Sequence, residues 1–209
     1  MRGENQDLVY ADPDRLVFSV ADGVGGGEGG AVASAMVCAN LKMMLYAAGE
    51  DFASRKAAVQ QAIEEANAEI FERSRRKGLS AMGSTVAVLV MDPADRRRVA
   101  VCNVGDSRVY LIRGGMPELL TRDHRLDGSH TLTRAVGIGG KVHTRWFESV
   151  CDHGSGFLVC TDGVHDPLTD ARIAVFSSAG PVEAAARRLS DDVLKHGAPD
   201  NYSFVLVSI

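Results

Sequence analysis

Carboxylates stand at the ends of several short apolar runs in this chain, and that placement limits the folds it can adopt. Asp22-Gly23 closes Val17-Phe18-Ser19-Val20-Ala21, and Asp162-Gly163 closes Phe157-Leu158-Val159-Cys160-Thr161. Asp106 follows Val101-Cys102-Asn103-Val104-Gly105, Asp200-Asn201 precedes the last apolar run, and Asp7 precedes Leu8-Val9-Tyr10. A strand that stops at the rim of a sheet leaves its terminal side chain there, so strands ending on one rim gather such acids within a few ångströms. Like charges that close repel and raise one another's pKa, and a divalent cation with oxygen ligands relieves the repulsion. A single Asp-Gly is an ordinary turn dipeptide. Five acids in matching positions need a common explanation.

The rest of the pattern fits strands in runs and helices in pairs. Residues 16–22 form a short buried strand, followed by a glycine-rich loop. From 28 to 48, Val32, Met36, Ala39 and Met43 recur at helical spacing, with Val37, Leu41 and Leu45 widening the stripe. A second helix is expected over 54–77, with Val59, Ile63, Ala66 and Ile70 on one face and Gly78 as its stop. The basic run Arg73, Arg75, Arg76 and Lys77 suits that helix's C-terminal end. The period then changes to two, predicting consecutive antiparallel strands over 84–91, 99–104 and 109–112. A polar surface loop follows over 122–132, then a strand over 157–161. Helices near 169–176 and 181–195, with Pro181 in the first turn of the latter, and a strand over 203–209 complete the chain. Strands and helices do not alternate as a parallel sheet requires, so the expectation is an α+β layered fold in one domain spanning 1–209.

Composition excludes several classes. The 209 residues carry a net charge of −4, with 45% hydrophobic and 24% charged residues, so neither disorder nor a fibrous repeat is expected. An acidic balance argues against a dedicated nucleic-acid binder. No run approaches the roughly 18 uninterrupted apolar residues of a membrane helix, and polar residues follow Met1 at once, so neither membrane attachment nor a signal peptide is expected. The cysteines Cys38, Cys102, Cys151 and Cys160 form no Cys-x-x-Cys pair, which predicts buried reduced thiols and a cytoplasmic protein.

Two chemistries compete for the glycine-rich loop. Gly25 to Gly30 matches G-x-G-x-x-G, but Asp22 at its entrance would face a pyrophosphate, and the next element is a second helix where a dinucleotide fold needs a strand. No Gly-Lys-Ser/Thr follows, and no G-x-S-x-G occurs elsewhere. The acids explain more. With carboxylates, a backbone carbonyl such as that of Gly23, and no paired histidines or thiols, the expected metal is Mg²⁺ or Mn²⁺. His124, His130, His143, His153, His165 and His196 lack His-x-x-x-His spacing and are expected at the surface or behind the ligands. Such sites suit phosphoryl chemistry, in which two ions about 3.5 to 4 Å apart act together. Arg2, five residues before Asp7, is a candidate phosphate fork.

Taken in order, the motifs resemble the metal-dependent serine/threonine protein phosphatases of the PPM (type 2C) family. The segments are Arg2-Gly3-Glu4-Asn5-Gln6-Asp7, Val20-Ala21-Asp22-Gly23-Val24-Gly25-Gly26, Gly83-Ser84-Thr85 and Val104-Gly105-Asp106-Ser107-Arg108-Val109-Tyr110. Leu120-Thr121-Arg122-Asp123-His124, Leu132-Thr133-Arg134-Ala135-Val136-Gly137, Cys160-Thr161-Asp162-Gly163-Val164 and Asp200-Asn201-Tyr202-Ser203 follow. The resemblance implies a four-layer αββα sandwich, two antiparallel sheets flanked by helix pairs, with a dinuclear Mn²⁺ or Mg²⁺ centre at one end. It implies that Asp22 bridges the ions, that the Gly23 carbonyl, Asp162 and Asp200 complete the protein ligands, and that Asp7 orients water. It matches Asp106, with Asp162, to a third and weaker ion of bacterial members, and Arg2 to the phosphate-binding arginine. The implied reaction is direct attack by a metal-bridging hydroxide on phosphoserine or phosphothreonine of a protein, opposing a serine/threonine kinase, by a monomer.

Three departures bear on this expectation. Val24 stands where some relatives carry a histidine, which leaves a metal-bound water as the proton source for the leaving group. The segment 125–131 is shorter than the usual flap, and the strand that normally precedes the motif arginine is missing from this sequence. These departures motivate an alternative, a phosphoprotein-binding or regulatory module of low activity on the same fold. Retention of all five acids favours the enzyme.

Overall fold

Period-two alternation assigns nearly every strand residue to one of two faces. The computed structural model describes residues 4–25, 28–79, 81–175 and 181–209. Among these, β1 (Asp7–Asp12), β2 (Val17–Val24), β4 (Val86–Met91), β5 (Arg98–Val104) and β8 (Phe147–Val150) form one antiparallel sheet in that order, with β3 (Gly83–Ser84) paired to the end of β2. A second antiparallel sheet runs β10 (Phe204–Ser208), β9 (Gly156–Cys160), β6 (Arg108–Arg113), β7 (Met116–Leu119).

The two sheets face each other. Phe18, Val20, Leu89 and Val101 of the first pack with Val109, Leu111, Phe157 and Val159 of the second in one buried cluster. The alternate residues look outward. Val17, Ala21, Val86, Val88, Val90 and Cys102 meet the helices α1 (Glu28–Ala47) and α2 (Phe52–Lys77). Tyr110, Ile112, Leu158 and Cys160 meet the side of the short helices α3 (Asp162–His165) and α4 (Asp170–Val175) and of α5 (Val182–Lys195). Each sheet is therefore buried on both faces, and the layers run helix, sheet, sheet, helix as expected.

The helix ends follow local chemistry. Asp51 caps α2 by accepting the Ser54 N–H at 2.9 Å, and Gly78, at φ 64°, closes it by donating to the Arg75 carbonyl. Arg75, Arg76 and Lys77 occupy its last turn, as expected. Pro181 stands one place earlier than expected, as the residue before α5. The expected end of the preceding helix at Phe176 lies outside the described residues. Gly29–Ala47 of α1 is long and apolar enough to cross a membrane by length and composition. Here Ala33, Val37, Leu41 and Leu45 are buried in the core shared with α2 and the first sheet.

Strands β7 and β8 are differences from the sequence expectation. Both are four-residue edge strands, largely exposed, so neither carries a buried face that would print an apolar alternation. All four cysteines are free and buried, as expected.

Leu89 is fully buried between the sheets. Leu89→Ala is expected to cost about 2–5 kcal/mol of stability, read as a lower urea midpoint with little change in slope.

Candidate metal centre

The strand ends that carry the acids are stitched together before any ligand is considered. Register places Asp7 opposite Asp22 across β1 and β2. The Gly23 N–H donates to the Gln6 carbonyl at 3.0 Å, and Ser34 of α1 donates to the same carbonyl at 2.7 Å. Asn201 accepts the Gln6 N–H at 3.1 Å, which joins the start of β1 to the loop before β10. Thr161 completes the join. Its hydroxyl donates to Asp7 Oδ2 at 2.9 Å and accepts from the Ser203 N–H at 3.0 Å.

Close backbone approach dictates the glycine after two of the acids. A Cβ on Gly23 would lie 2.2 Å from the Gly30 carbonyl oxygen, and one on Gly163 would lie 1.9 Å from that of Asn201. Asp22 and Asp162 are thus followed by glycine because another chain segment occupies the space a side chain would need. Behind them, Thr85 accepts the Asp22 N–H at 3.0 Å and shares a buried 2.7 Å hydrogen bond with Ser107.

Asp22, Gly23, Asp106, Asp162 and Asp200 line one open cavity of about 1210 Å³. Asp7 does not line it. The residue is buried, 6% exposed, and against Asp22, which corrects the expectation that all five acids share one rim. Asp7 is paired directly opposite Asp22, and its Oδ2 is turned to the Thr161 hydroxyl. Arg2 lies outside the described residues.

Among the described residues, no Lys or Arg forms an ion pair with Asp7, Asp22 or Asp162. Burial pushes the Asp22 carboxyl up to about 9, with the charges of Asp7, Asp162 and Asp200 adding to it. Burial and the charge of Asp106 push Asp162 up to about 6. Burial also raises Asp7, although the Thr161 hydroxyl works against it. Asp7 Oδ1 and Asp162 Oδ1 are buried and have no hydrogen-bond partner. Buried carboxylate oxygens without donors are costly, and a cation satisfies them at once. The donor set, carboxylates with the Gly23 carbonyl, suits a hard divalent ion such as Mg²⁺ or Mn²⁺. The residues therefore fit the group: Asp22, Gly23, Asp162 and Asp200 line the cavity where they would hold it, and Asp7 lies outside that lining.

The segment 122–132 is more than a surface loop. Arg125 bridges Leu132, the Leu126 N–H reaches the Thr131 carbonyl at 3.0 Å, and Thr133 N–H reaches the His124 carbonyl at 2.8 Å. The resulting hairpin supplies His130, Thr131, Leu132 and Arg134 to the cavity wall. Its root is fixed to the Asp106 turn, where Gly105 N–H donates to His124 Nδ1 and His124 N–H to the Gly105 carbonyl. Burial, with Arg134 and Arg122 nearby, lowers the His124 pKa. His165 is buried with Nε2 3.0 Å from the Asp106 carbonyl, the supporting role expected of a histidine here.

Sequence reasoning missed Asp166, His130 and Arg134. Asp166 lies beside Asp162, and together with His130 they offer ligand atoms within 4.8 Å of one another. The four-residue spacing of Asp162 and Asp166 was the available signal, since a helical turn puts such residues on one face. Nothing in the sequence places His130 or Arg134 at the cavity.

A buried cluster of oxygen donors at one end of a four-layer αββα sandwich defines the class: a protein with a divalent-metal centre built on strand ends. Residues 4–197 match the family model of protein phosphatase 2C, and the chain belongs to that family. It is 28% identical over 229 residues to the serine/threonine protein phosphatase PstP of Mycobacterium tuberculosis, aligning along 100% of its own length but 43% of that protein's. The chain thus spans less than half of that relative. The serine/threonine phosphatase stp of Listeria innocua is 28% identical over 235 residues, covering 99% of this chain and 91% of its own. Among solved structures, PppA, described as a key regulatory component of T6SS in Pseudomonas aeruginosa, superposes with a TM-score of 0.91 at 27% identity, over 99% of this chain and 92% of its own. The PstP catalytic domain, solved in complex with two manganese ions, gives 0.84 at 28% identity, over 100% and 93%.

Asp22 makes the metal-free chain pH-sensitive in a stated direction. Its carboxyl, raised from 3.8 to about 9, holds its proton when folded over a range where the unfolded chain has lost it, so this group costs stability as pH rises through that range. Asp22→Asn is expected to stabilise the metal-free chain by about 1–3 kcal/mol at pH 8 and by less at pH 5, measured by thermal unfolding in chelator.

Proposed function

We propose that this chain is a Mg²⁺- or Mn²⁺-dependent protein serine/threonine phosphatase that hydrolyses phosphoserine and phosphothreonine. The observation that carries the reading is the pair of donorless buried oxygens on Asp7 and Asp162, within an acid cluster whose own charges oppose ionisation. Family membership supplies the chemical context.

Asp22, Gly23, Asp162 and Asp200 would hold the divalent ions, which when bound would supply Lewis-acid polarisation of the phosphate and lower the pKa of water at the site. The chain's own residues do the rest. Asp7, fixed by Thr161 through Oδ2, keeps Oδ1 as an acceptor that can orient a water and take its proton. Arg134 brings a guanidinium to the cavity wall, where its donors can meet phosphate oxygens or the flanking peptide. Val24 lines the same wall and has no proton to give, so the leaving seryl or threonyl oxygen draws its proton from water. The cavity is wide and open, which suits a phosphorylated segment of a protein better than an enclosed small metabolite.

The finer parts of the reading follow from chemistry. The substrate is a phosphoprotein made by a serine/threonine kinase that this chain opposes. The four buried free thiols suit the reducing cytoplasm. With a net charge of −4 the chain has no electrostatic reason to hold nucleic acid, and we place it as a cytoplasmic monomer without membrane attachment.

A phosphothreonine peptide is expected to be hydrolysed with Mn²⁺ or Mg²⁺ and not in chelator, and Asp162→Asn is expected to lower kcat/KM by at least about 100-fold. Release of phosphate that is unaffected by chelator or by Asp162→Asn would refute the reading. Arg134→Ala is expected to raise KM for the peptide about 3- to 10-fold with a smaller change in kcat, as loss of a binding contact does.

A further inference from the structure

One wall of the acid cavity already has its counter-charge. Asp106, Asp123 and Asp166 converge on Arg125, the first residue of the short hairpin. Arg125 Nη1 donates to both oxygens of Asp166 at 3.1 and 3.2 Å, Nε stands 3.3 Å from Asp123 Oδ2, and Nη1 stands 3.7 Å from Asp106 Oδ2. Asp123 is in addition gripped bidentately by Arg108 at 2.9 and 2.7 Å, with the Tyr110 hydroxyl accepting from the same guanidinium. The Arg125 side chain is half-buried, at 21% exposure, and the Asp106 side chain is buried, at 4%. Its backbone is held by the bridge to Leu132.

By contrast, among the described residues no Lys or Arg forms an ion pair with Asp7, Asp22 or Asp162. The acids thus fall into two sets, one neutralised from within the chain and one left for metal.

The family resemblance matches Asp106, with Asp162, to a third ion. An ion bound to the Asp106 carboxylate at ordinary Mg²⁺ or Mn²⁺ distances would sit within about 6 Å of the Arg125 guanidinium, like charge against like in a half-buried setting. The position does not fit a third divalent cation while Arg125 stands there.

We propose that the Arg125 guanidinium takes the place of the third cation, so that this chain binds two divalent ions and fixes its hairpin with a built-in charge. The proposal rests on the two-ion centre of the reading above. Its functional consequence is a hairpin anchored to the Asp106 and Asp166 wall at any metal concentration. In a chain whose third position needs an ion, that wall would tighten only as the ion bound.

The test is the count of Mn²⁺ ions per chain, by equilibrium dialysis and by calorimetric titration of the metal-free protein. Wild type is expected to saturate at two. Arg125→Gln, close in shape but uncharged, and Arg125→Ala are expected to bind a third, weaker ion, and adding Asp106→Asn is expected to abolish it. Circular dichroism and the melting temperature identify a folded variant, and if Arg125→Ala does not fold, Arg125→Gln carries the comparison. Three ions on wild type, or two on a folded Arg125→Gln, would overturn this inference and leave the phosphatase reading standing. Fewer than two on wild type would overturn both.

Discussion

Repulsion among buried carboxylates is the constraint around which this molecule is arranged. Burial raises the pKa of Asp7, Asp22 and Asp162, and the charges of Asp7, Asp162 and Asp200 push Asp22 up further. A chain gains nothing in stability from such a cluster. It persists because the surrounding structure holds the strand ends in place by other means: Thr161 across to Asp7 and Ser203, Asn201 to the N–H of Gln6, and Thr85 to the N–H of Asp22. These hydrogen bonds run between the ends of both sheets, so the centre belongs to the sandwich as a whole and to no single strand.

The sandwich can bear this cost because its interior is built mainly of apolar side chains. Each central strand sends one set of side chains between the sheets and the alternate set under a helix layer, so both faces are buried. Burial of that extent supplies most of the folding free energy, and the polar joins at the rim add specificity. The acids sit at that rim, where a small displacement of one strand relative to the other sheet would separate them.

Two solutions to the same electrostatic problem lie side by side in the cavity. Toward β6 and the hairpin, carboxylates are met by Arg108 and Arg125, whose planar forks satisfy two oxygens at a time. Although burial opposes ionisation, His165 and Arg125 hold the Asp166 carboxyl at about 2. Toward β1, β2 and β9, no Lys or Arg among the described residues pairs with Asp7, Asp22 or Asp162, and Oδ1 of Asp7 and of Asp162 have no donor there. The first arrangement fixes structure permanently. The second leaves room for ions that can polarise a substrate, and that division is what makes the cavity a site.

The sequence by itself determined most of the elements and pointed to the acids that gather at the cavity. Alternation in runs such as Val86–Met91 and helical spacing in 28–48 are local patterns set by which side chains must leave water, and they read directly as strands and helices. Asp22, Gly23, Asp106, Asp162 and Asp200 were legible because each acid stands at one end of an apolar run and two are followed by glycine. The tertiary structure alone decided the rest. It kept Asp7 out of the cavity lining, made a hairpin of a stretch whose composition reads as loop, brought His130, Arg134 and Asp166 to the walls, and set Arg125 against Asp106 and Asp166. β7 and β8 escaped notice because exposed edge strands have no face to bury. Arg125 and Arg134 escaped because a charged residue carries no periodicity, and its partners, at Asp106 and Asp166, are chosen by how the hairpin folds over a sheet far away in the chain.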